Sequence, residues 1–217
     1  MEIWLDTANI DLIKKAKQLG ILHGVTTNPS ILAKENREPS AILNDILKVQ
    51  SGPVTAQVMS EDCRGMMEEA DYYQSISKRI LVKIPVTQEG LKAIHQLSRQ
   101  SIPTMATVIF HPNQALLAAL AGADYVAPYV GRMESAGENA FEMLESMSKI
   151  FANYHFETKI LAASIKDTKR VNKCAEIGIH AVTLKDEVFN MLIGDNELTL
   201  QSLAQFSKDG EFLVTTK

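Results

Sequence analysis

Short apolar runs alternate with longer amphipathic segments along the whole of this 217-residue chain, and that alternation constrains the fold more than any other feature. The runs occupy residues 3–7, 24–28, 54–59, 80–86, 104–110, 125–130, 160–164 and 181–184. Each is rich in Val, Ile, Leu and Ala and apolar on both faces, as strands buried in a parallel sheet require. Between them lie helical stripes: Ile42, Ile46 and Val49; Leu91, Ile94 and Leu97; Phe141, Leu144 and Phe151. Ser60 before Glu61-Asp62 and Thr87 before Gln88-Glu89 read as N-caps with acidic first turns. Gly20, Gly122 and Gly178 each stand a few residues before a strand, the place of a helix C-cap.

A β-α unit repeated about eight times predicts a (β/α)₈ TIM barrel: an α/β fold, one domain over residues 1–217, with an extra C-terminal helix. A doubly wound open sheet is the rival. It is weakened by the missing G-x-G-x-x-G and P-loop and by a strand count that suits closure. No Pro-, Ser- or Gly-rich linker divides the chain. The tail after Leu198, ending Glu211-Phe212-Leu213-Val214, carries apolar residues past the last strand and is expected to pack on the barrel's outside or on a neighbouring subunit.

Composition removes several function classes. With 46% hydrophobic residues the chain can build a sizeable core, which excludes disorder and a disulfide-stapled miniprotein. A net charge of −4 leaves no domain-wide positive field for a nucleic acid, although a local pocket for one phosphate group stays open. Cys63 and Cys174 have no metal-ligand spacing and form no C-x-x-C pair, so free thiols in a reducing cytosol are expected. No secretory signal pattern occurs, and no apolar run approaches the ~20 residues that cross a bilayer. The expectation is a cytoplasmic protein with no membrane contact.

In parallel α/β folds the reacting groups come from the C-terminal ends of strands. Those positions here are Asp6, Thr26, Asn28, Gln57, Lys83, Thr107, Tyr129 and Ser164. Lys83 is the most informative. Alternation in Ile80-Leu81-Val82-Lys83-Ile84-Pro85-Val86 puts Leu81, Lys83 and Pro85 on one face. A mid-strand lysine cannot easily snorkel to water, and burial disfavours an ammonium ion. A neutral amine is what a carbonyl substrate needs to form a Schiff base. A structural lysine, paired with a carboxylate or reaching solvent at the strand end, is the other reading, and the local sequence leaves both open.

The neighbours carry similar pairs of readings. Asp6 can hold the lysine, bind a substrate hydroxyl or move a proton; alone it reads more simply as an Asx cap of the helix beginning near Asn9. Thr26 and Asn28 share strand parity and point into the barrel, while Pro29 suits a first helical turn. Ser164-Ile165-Lys166-Asp167 matches a capping box. The same helix N-terminus offers N–H groups to a phosphate, with Arg132 as a bidentate clamp. The five histidines are scattered without metal-ligand spacing, no G-x-S-x-G occurs, and the nine methionines read as core filler.

Four stretches in one chain then become specific together: Leu5-Asp6-Thr7-Ala8-Asn9, Gly24-Val25-Thr26-Thr27-Asn28-Pro29-Ser30, Val82-Lys83-Ile84-Pro85-Val86-Thr87 and Ala127-Pro128-Tyr129-Val130-Gly131-Arg132. In order and spacing they resemble the small transaldolase family along essentially the whole chain. The resemblance implies a (β/α)₈ barrel, a Schiff-base lysine at Lys83, no metal, no cofactor and sugar phosphates as substrates. Transaldolases of the family generally carry a glutamate on strand three and a phenylalanine on strand six. Gln57 and Tyr129 stand there instead, as in the fructose-6-phosphate aldolase branch, which uses free dihydroxyacetone as donor and tends to form decamers with exchanged C-terminal helices.

For the site, the resemblance implies that Lys83 attacks the ketose and that Gln57, Thr107 and Tyr129 hold a proton-moving water. Asp6, Asn28 and Thr26 would bind donor hydroxyls, and Arg132, Ser164 and Lys166 the terminal phosphate. The sequence leaves two alternatives: a transaldolase that moves a dihydroxyacetone unit between sugar phosphates, and a non-catalytic barrel that binds sugar phosphate.

Overall fold

Strands that are apolar on both faces need a partner on each edge and a cover on each side, and a closed barrel ringed by helices supplies both. A computed structural model, which describes residues 1–214, has this architecture. Eight parallel strands pair in chain order and close: β1 (Glu2–Asp6), β2 (Leu22–Thr26), β3 (Val54–Gln57), β4 (Ile80–Pro85), β5 (Thr104–Ile109), β6 (Tyr125–Pro128), β7 (Lys159–Ala162) and β8 (Ala181–Leu184). The helices are α1 (Ile10–Gln18), α2 (Pro29–Lys34), α3 (Pro39–Val49), α4 (Cys63–Ile76), α5 (Gln88–Arg99), α6 (Pro112–Ala121), α7 (Val130–Ser135), α8 (Ala140–Asn153), α9 (Thr168–Ile177), α10 (Asp186–Leu192) and α11 (Glu197–Val214). This is the (β/α)₈ barrel that the alternation predicts.

Strand alternation sorts the core into two shells. Val25, Val82, Ile84, Ala106, Val126, Ile160 and Val182 face outward and pack against the helices. There they meet the expected stripes, with Ile42, Ile46, Ile94, Leu97, Leu144 and Phe151 buried. Burying each such side chain contributes about 1.5–3 kcal/mol. The inward set is Trp4, Leu81, Met105, Tyr125, Ala127, Leu161, Ala163 and Ala181. Trp4 fills the lower barrel so tightly that a Cβ on Gly24 would lie 2.6 Å from its ring. Truncating Trp4 to alanine would cost about 3–5 kcal/mol.

Below Trp4 the barrel is closed by polar groups. The Glu2 carboxylate accepts from Trp4 Nε1 at 3.1 Å, Tyr125 OH at 3.0 Å and Lys159 Nζ at 2.6 Å, with His23 Nε2 at 3.5 Å. Burial alone would raise the Glu2 carboxyl, but these hydrogen bonds and the nearby His23 hold it below its ordinary value. His180 Nδ1 accepts from the Ile160 N–H at 3.1 Å. Burial, then the Lys159 charge, lowers that imidazole.

Several local expectations change. The apolar runs overshoot the strands by one or two residues at seven C-terminal ends, because residues such as Asn28 and Val130 already belong to the cap or first turn of the next helix. Thr87 caps α5 as expected, accepting from the Gly90 N–H. Ser60 does not cap α4: Asp62 does, and Ser60 donates to Glu69 instead. Asn9, not Asp6, caps α1. Gly122 and Gly178 are left-handed C-caps, while Gly20 lies one residue beyond the cap of α1. The C-terminal helix is present as α11, with Leu198, Leu203 and Phe206 exposed rather than packed on the barrel. In the expected tail Glu211-Phe212-Leu213-Val214 only the helical backbone lies within the description, and residues 215–217 lie outside the described residues. Among the described residues no helix is long and apolar enough to cross a membrane.

Candidate active site

The C-terminal rim of the barrel opens into a cavity of ≈ 960 Å³. Eight of the ten residues singled out in the sequence line it: Asp6, Thr26, Asn28, Gln57, Lys83, Tyr129, Arg132 and Ser164. Seven of them come from six different strands or the turns that follow them, and Arg132 from the first turn of α7, so none is carried on a long loop.

Lys83 lies inside β4 with only 4% of its surface exposed. Its register partner on β3 is Gln57, so amine and amide sit side by side at the cavity floor. Its Nζ has one hydrogen bond, a long one of 3.5 Å to the Thr27 carbonyl. Among the described residues it pairs with no carboxylate, so the structural reading of a lysine held in a salt bridge has no support. Thr27 itself faces away from the cavity, locked to Thr55 by bonds of 2.9 and 2.6 Å, as the parity of Thr26 and Asn28 requires.

On the opposite wall Asp6 closes β1. Its Oδ1 accepts from Thr26 Oγ1 at 2.8 Å, and Thr26 also meets Thr183 Oγ1 at 2.6 Å. Asn28 caps α2 through its side-chain oxygen, 3.0 Å from the Ile31 N–H, which fixes the amide plane at the rim. Thr107 is fully buried and does not reach the cavity, but its hydroxyl lies 3.0 Å from the Tyr129 OH and so orients that phenol. Tyr129 extends β6 by one bridge to Ala163 before α7 begins. The Arg132 guanidinium lies over its ring, 4.7 Å from the centroid.

The segment around Ser164 differs from the capping-box expectation. Helix α9 is capped by Asp167, which accepts from the Arg170 N–H at 2.9 Å, so a protein carboxylate occupies that helix N-terminus. Ser164 lies three residues earlier with φ at +61°, where a side chain seldom sits without strain. Its carbonyl is approached so closely by Gly131, whose added Cβ would lie 2.4 Å away, that only glycine fits there. The same bend carries Lys166 away from the cavity, where its Nζ donates to Ser135 Oγ at 3.0 Å. Arg170 is taken by Glu134 and Asp167, whereas Arg132 pairs with no carboxylate among the described residues. Of the three residues expected to meet a phosphate, Arg132 and Ser164 line the cavity and Lys166 does not.

Thr183 and Val108 are among the lining residues that the sequence reading did not single out. Thr183 lies on β8, whose terminal residue Leu184 offers no chemistry; its inward parity with Ala181 was the available signal. Val108 lines the rim with φ at +62°, an outlier for a β-branched residue, where β5 and β6 lose register between Ala106 and Ile109. No sequence signal marks that strain. Among the described residues no three His, Cys, Asp or Glu side chains converge as a metal site.

This geometry has relatives. The family model for Transaldolase/Fructose-6-phosphate aldolase matches residues 3–216. A protein of Coprothermobacter proteolyticus called "Probable transaldolase" is 44% identical over 209 residues, 96% of each chain. Proteins with the same description from Thermodesulfovibrio yellowstonii and Thermoplasma volcanium are each 42% identical; the alignments cover 98% and 99% of this chain and 99% and 100% of those proteins.

Proposed function

The chain belongs to the transaldolase/fructose-6-phosphate aldolase family, and from that premise we propose that it is a metal-independent Schiff-base aldolase that cleaves fructose 6-phosphate to dihydroxyacetone and glyceraldehyde 3-phosphate, or runs the reverse addition. The observation that carries the proposal is the buried, carboxylate-free Lys83 beside Gln57, with Tyr129 lining the same cavity.

In the proposed reaction Lys83 Nζ adds to the C2 carbonyl, and loss of water gives an iminium ion. The C4 hydroxyl proton passes to a water held by Gln57 and Tyr129, with Thr107 fixing the phenol. The C3–C4 bond breaks, its electron pair moves into the iminium to give an enamine, and glyceraldehyde 3-phosphate leaves. Protonation at C3 and hydrolysis then release dihydroxyacetone and regenerate the amine. Asp6, Thr26 and Asn28 bind donor hydroxyls; Arg132 and Ser164 hold the phosphate.

The names of the relatives favour a second reading, transaldolase transfer of the dihydroxyacetone unit to an acceptor such as erythrose 4-phosphate. The two readings part at Gln57 and Tyr129. A glutamate moves protons itself, whereas an amide can only position water or substrate. The test is release of glyceraldehyde 3-phosphate from fructose 6-phosphate, first without acceptor and then with erythrose 4-phosphate. Sustained release without acceptor is expected; turnover only with acceptor would make the chain a transaldolase. Gln57→Glu with Tyr129→Phe is expected to raise the transfer activity. The exposed apolar residues of α11 support a homo-oligomer, a decamer by the family resemblance, which sedimentation would test.

A further inference from the structure

Three side chains on the wall facing Lys83 form a hydrogen-bonded row whose direction follows from counting protons. Asp6 Oδ1 accepts from Thr26 Oγ1 at 2.8 Å. A threonine hydroxyl has one proton to give. The 2.6 Å contact between Thr26 and Thr183 must therefore run the other way, from Thr183 Oγ1 to Thr26. Every proton in the row points toward Asp6, and the row ends at Thr183.

We propose that Thr183 is a positioning residue of the Schiff-base site: by donating to Thr26 it turns the Thr26 hydroxyl onto Asp6 and so fixes the carboxylate in the orientation that meets the substrate. Thr26 is the register partner of Asp6 on β2, and Thr183 belongs to β8 on the other side of β1. The row therefore ties the two strands that flank β1 to its last residue. Thr26 is 1% exposed and Thr183 4%, and both line the cavity together with Asp6.

Packing does not require this pair of hydroxyls. Two valines would fill the same space and leave no buried hydroxyl unpaired, and Asp6, half-buried at the cavity, could take a water in place of the lost donor. What two valines could not do is hold a carboxylate in one rotamer. Asp6 has no other hydrogen-bond partner among the described residues, so its second oxygen is left for the substrate and Thr26 alone restrains it. Thr26 with its proton unassigned could turn away from Asp6; Thr183 removes that freedom.

This inference rests on the Schiff-base reading, and the experiment separates the two. Borohydride trapping of dihydroxyacetone on Lys83 of the full chain tests the reading: no adduct overturns it and the inference with it. Given an adduct, Thr183→Val is expected to lower kcat for fructose 6-phosphate cleavage about 10- to 100-fold, the scale of a small misplacement at a reacting centre, with KM changed less than about threefold. Thr183→Ser, which keeps the hydroxyl, is expected to recover kcat to within about threefold of the parent. In an Asp6→Asn background Thr183→Val is expected to cost less than about twofold more, since a residue that acts through Asp6 has nothing left to orient. Thr183→Ala serves as the second variant if the valine does not fold. A parent-like kcat in the folded valine or alanine variant, or a full additional loss in the Asp6→Asn background, would overturn the proposal.

Discussion

The two ends of the barrel interior hold nearly the same chemistry and use it in opposite ways. At the bottom, Glu2, Lys159, Tyr125 and His23 surround Trp4; at the mouth, Asp6, Lys83, Tyr129 and Arg132 surround the cavity. The bottom carboxylate has three donors within 3.1 Å and a histidine beside it, and its lysine is paired at 2.6 Å. The mouth carboxylate has one donor, and its lysine reaches a single carbonyl at 3.5 Å. Residue type does not separate the bottom cluster from the one at the mouth. Unused hydrogen-bonding capacity does, because a group already saturated by protein has nothing to offer a substrate.

The sharpest way to break that comparison is to remove one lysine from each end. Lys83→Met is expected to abolish turnover, by at least about 10⁴-fold, the scale seen when a nucleophile is deleted. It should leave the melting temperature equal or higher, since a buried amine with one long hydrogen bond becomes a well-packed thioether. Lys159→Met should leave kcat unchanged. Its ammonium is more than a third exposed, so its pair with Glu2 contributes little. Activity retained in Lys83→Met, measured beside a circular dichroism melt, would end the distinction between the two ends.

Glu2 itself is the next largest test, and its readout is stability rather than rate. Glu2→Ala strips the acceptor from Trp4 Nε1 and Tyr125 OH, two donors the barrel cannot hand to water freely. The expected loss is about 2–4 kcal/mol. At about 2–4 °C per kcal/mol for a chain of this size, that lowers Tm by roughly 4–16 °C. The kcat of the folded fraction should be unaffected.

The same end should govern the acid side of the stability curve. The folded Glu2 carboxyl lies below its ordinary 4.5, so it contributes stability that is present above about pH 4.5 and is lost as pH falls through the folded value. Glu2→Gln is therefore expected to flatten the acid limb below about pH 4.5. His180 acts earlier. Its folded value is lowered from 6.5, so the unfolded chain takes up a proton first and stability begins to fall below about pH 6.5. The imidazole is only partly withdrawn from water, which keeps that slope shallow. Urea titrations from pH 7 to 3 would resolve the two windows; an acid limb that Glu2→Gln leaves unchanged would remove the bottom cluster from the account.

How much of this could be read from the sequence follows the same division. The shells were legible because alternation is local: Leu81 and Lys83 against Val82 and Ile84 needs no knowledge of the rest of the chain. Lys83, Asp6, Thr26, Asn28, Gln57 and Tyr129 were legible because parallel folds put chemistry at strand ends. What the sequence could not show were contacts between strands far apart in the chain. Thr26 meets Thr183 across 157 residues, and Glu2 meets Tyr125 across 123. The backbone reversals at Val108 and Ser164 were hidden too, since both are ordinary residues in conformations they rarely adopt. The capping reading at Ser164 failed for that reason: the four-residue pattern was present, but the turn placed Asp167 at the cap.

That misplaced turn yields the most discriminating prediction, a pair of substitutions at the proposed phosphate end. Arg132 and Lys166 both carry a positive charge near Ser164, and the motif alone treats them alike. Geometry does not: Arg132 lines the cavity with no carboxylate partner among the described residues, while Lys166 is outside it and donates to Ser135. Arg132→Ala is expected to raise KM for glyceraldehyde 3-phosphate about 10- to 100-fold, the worth of one charge-assisted clamp. The KM for a phosphate-free aldehyde should stay within about twofold, because that substrate never used the clamp. Lys166→Ala should change either value by less than about threefold, since a solvent-screened charge outside the cavity adds little. Equal effects of the two substitutions would mean that the mouth binds anions by bulk charge, and the contrast between a saturated end and an open one would then not extend to its phosphate subsite.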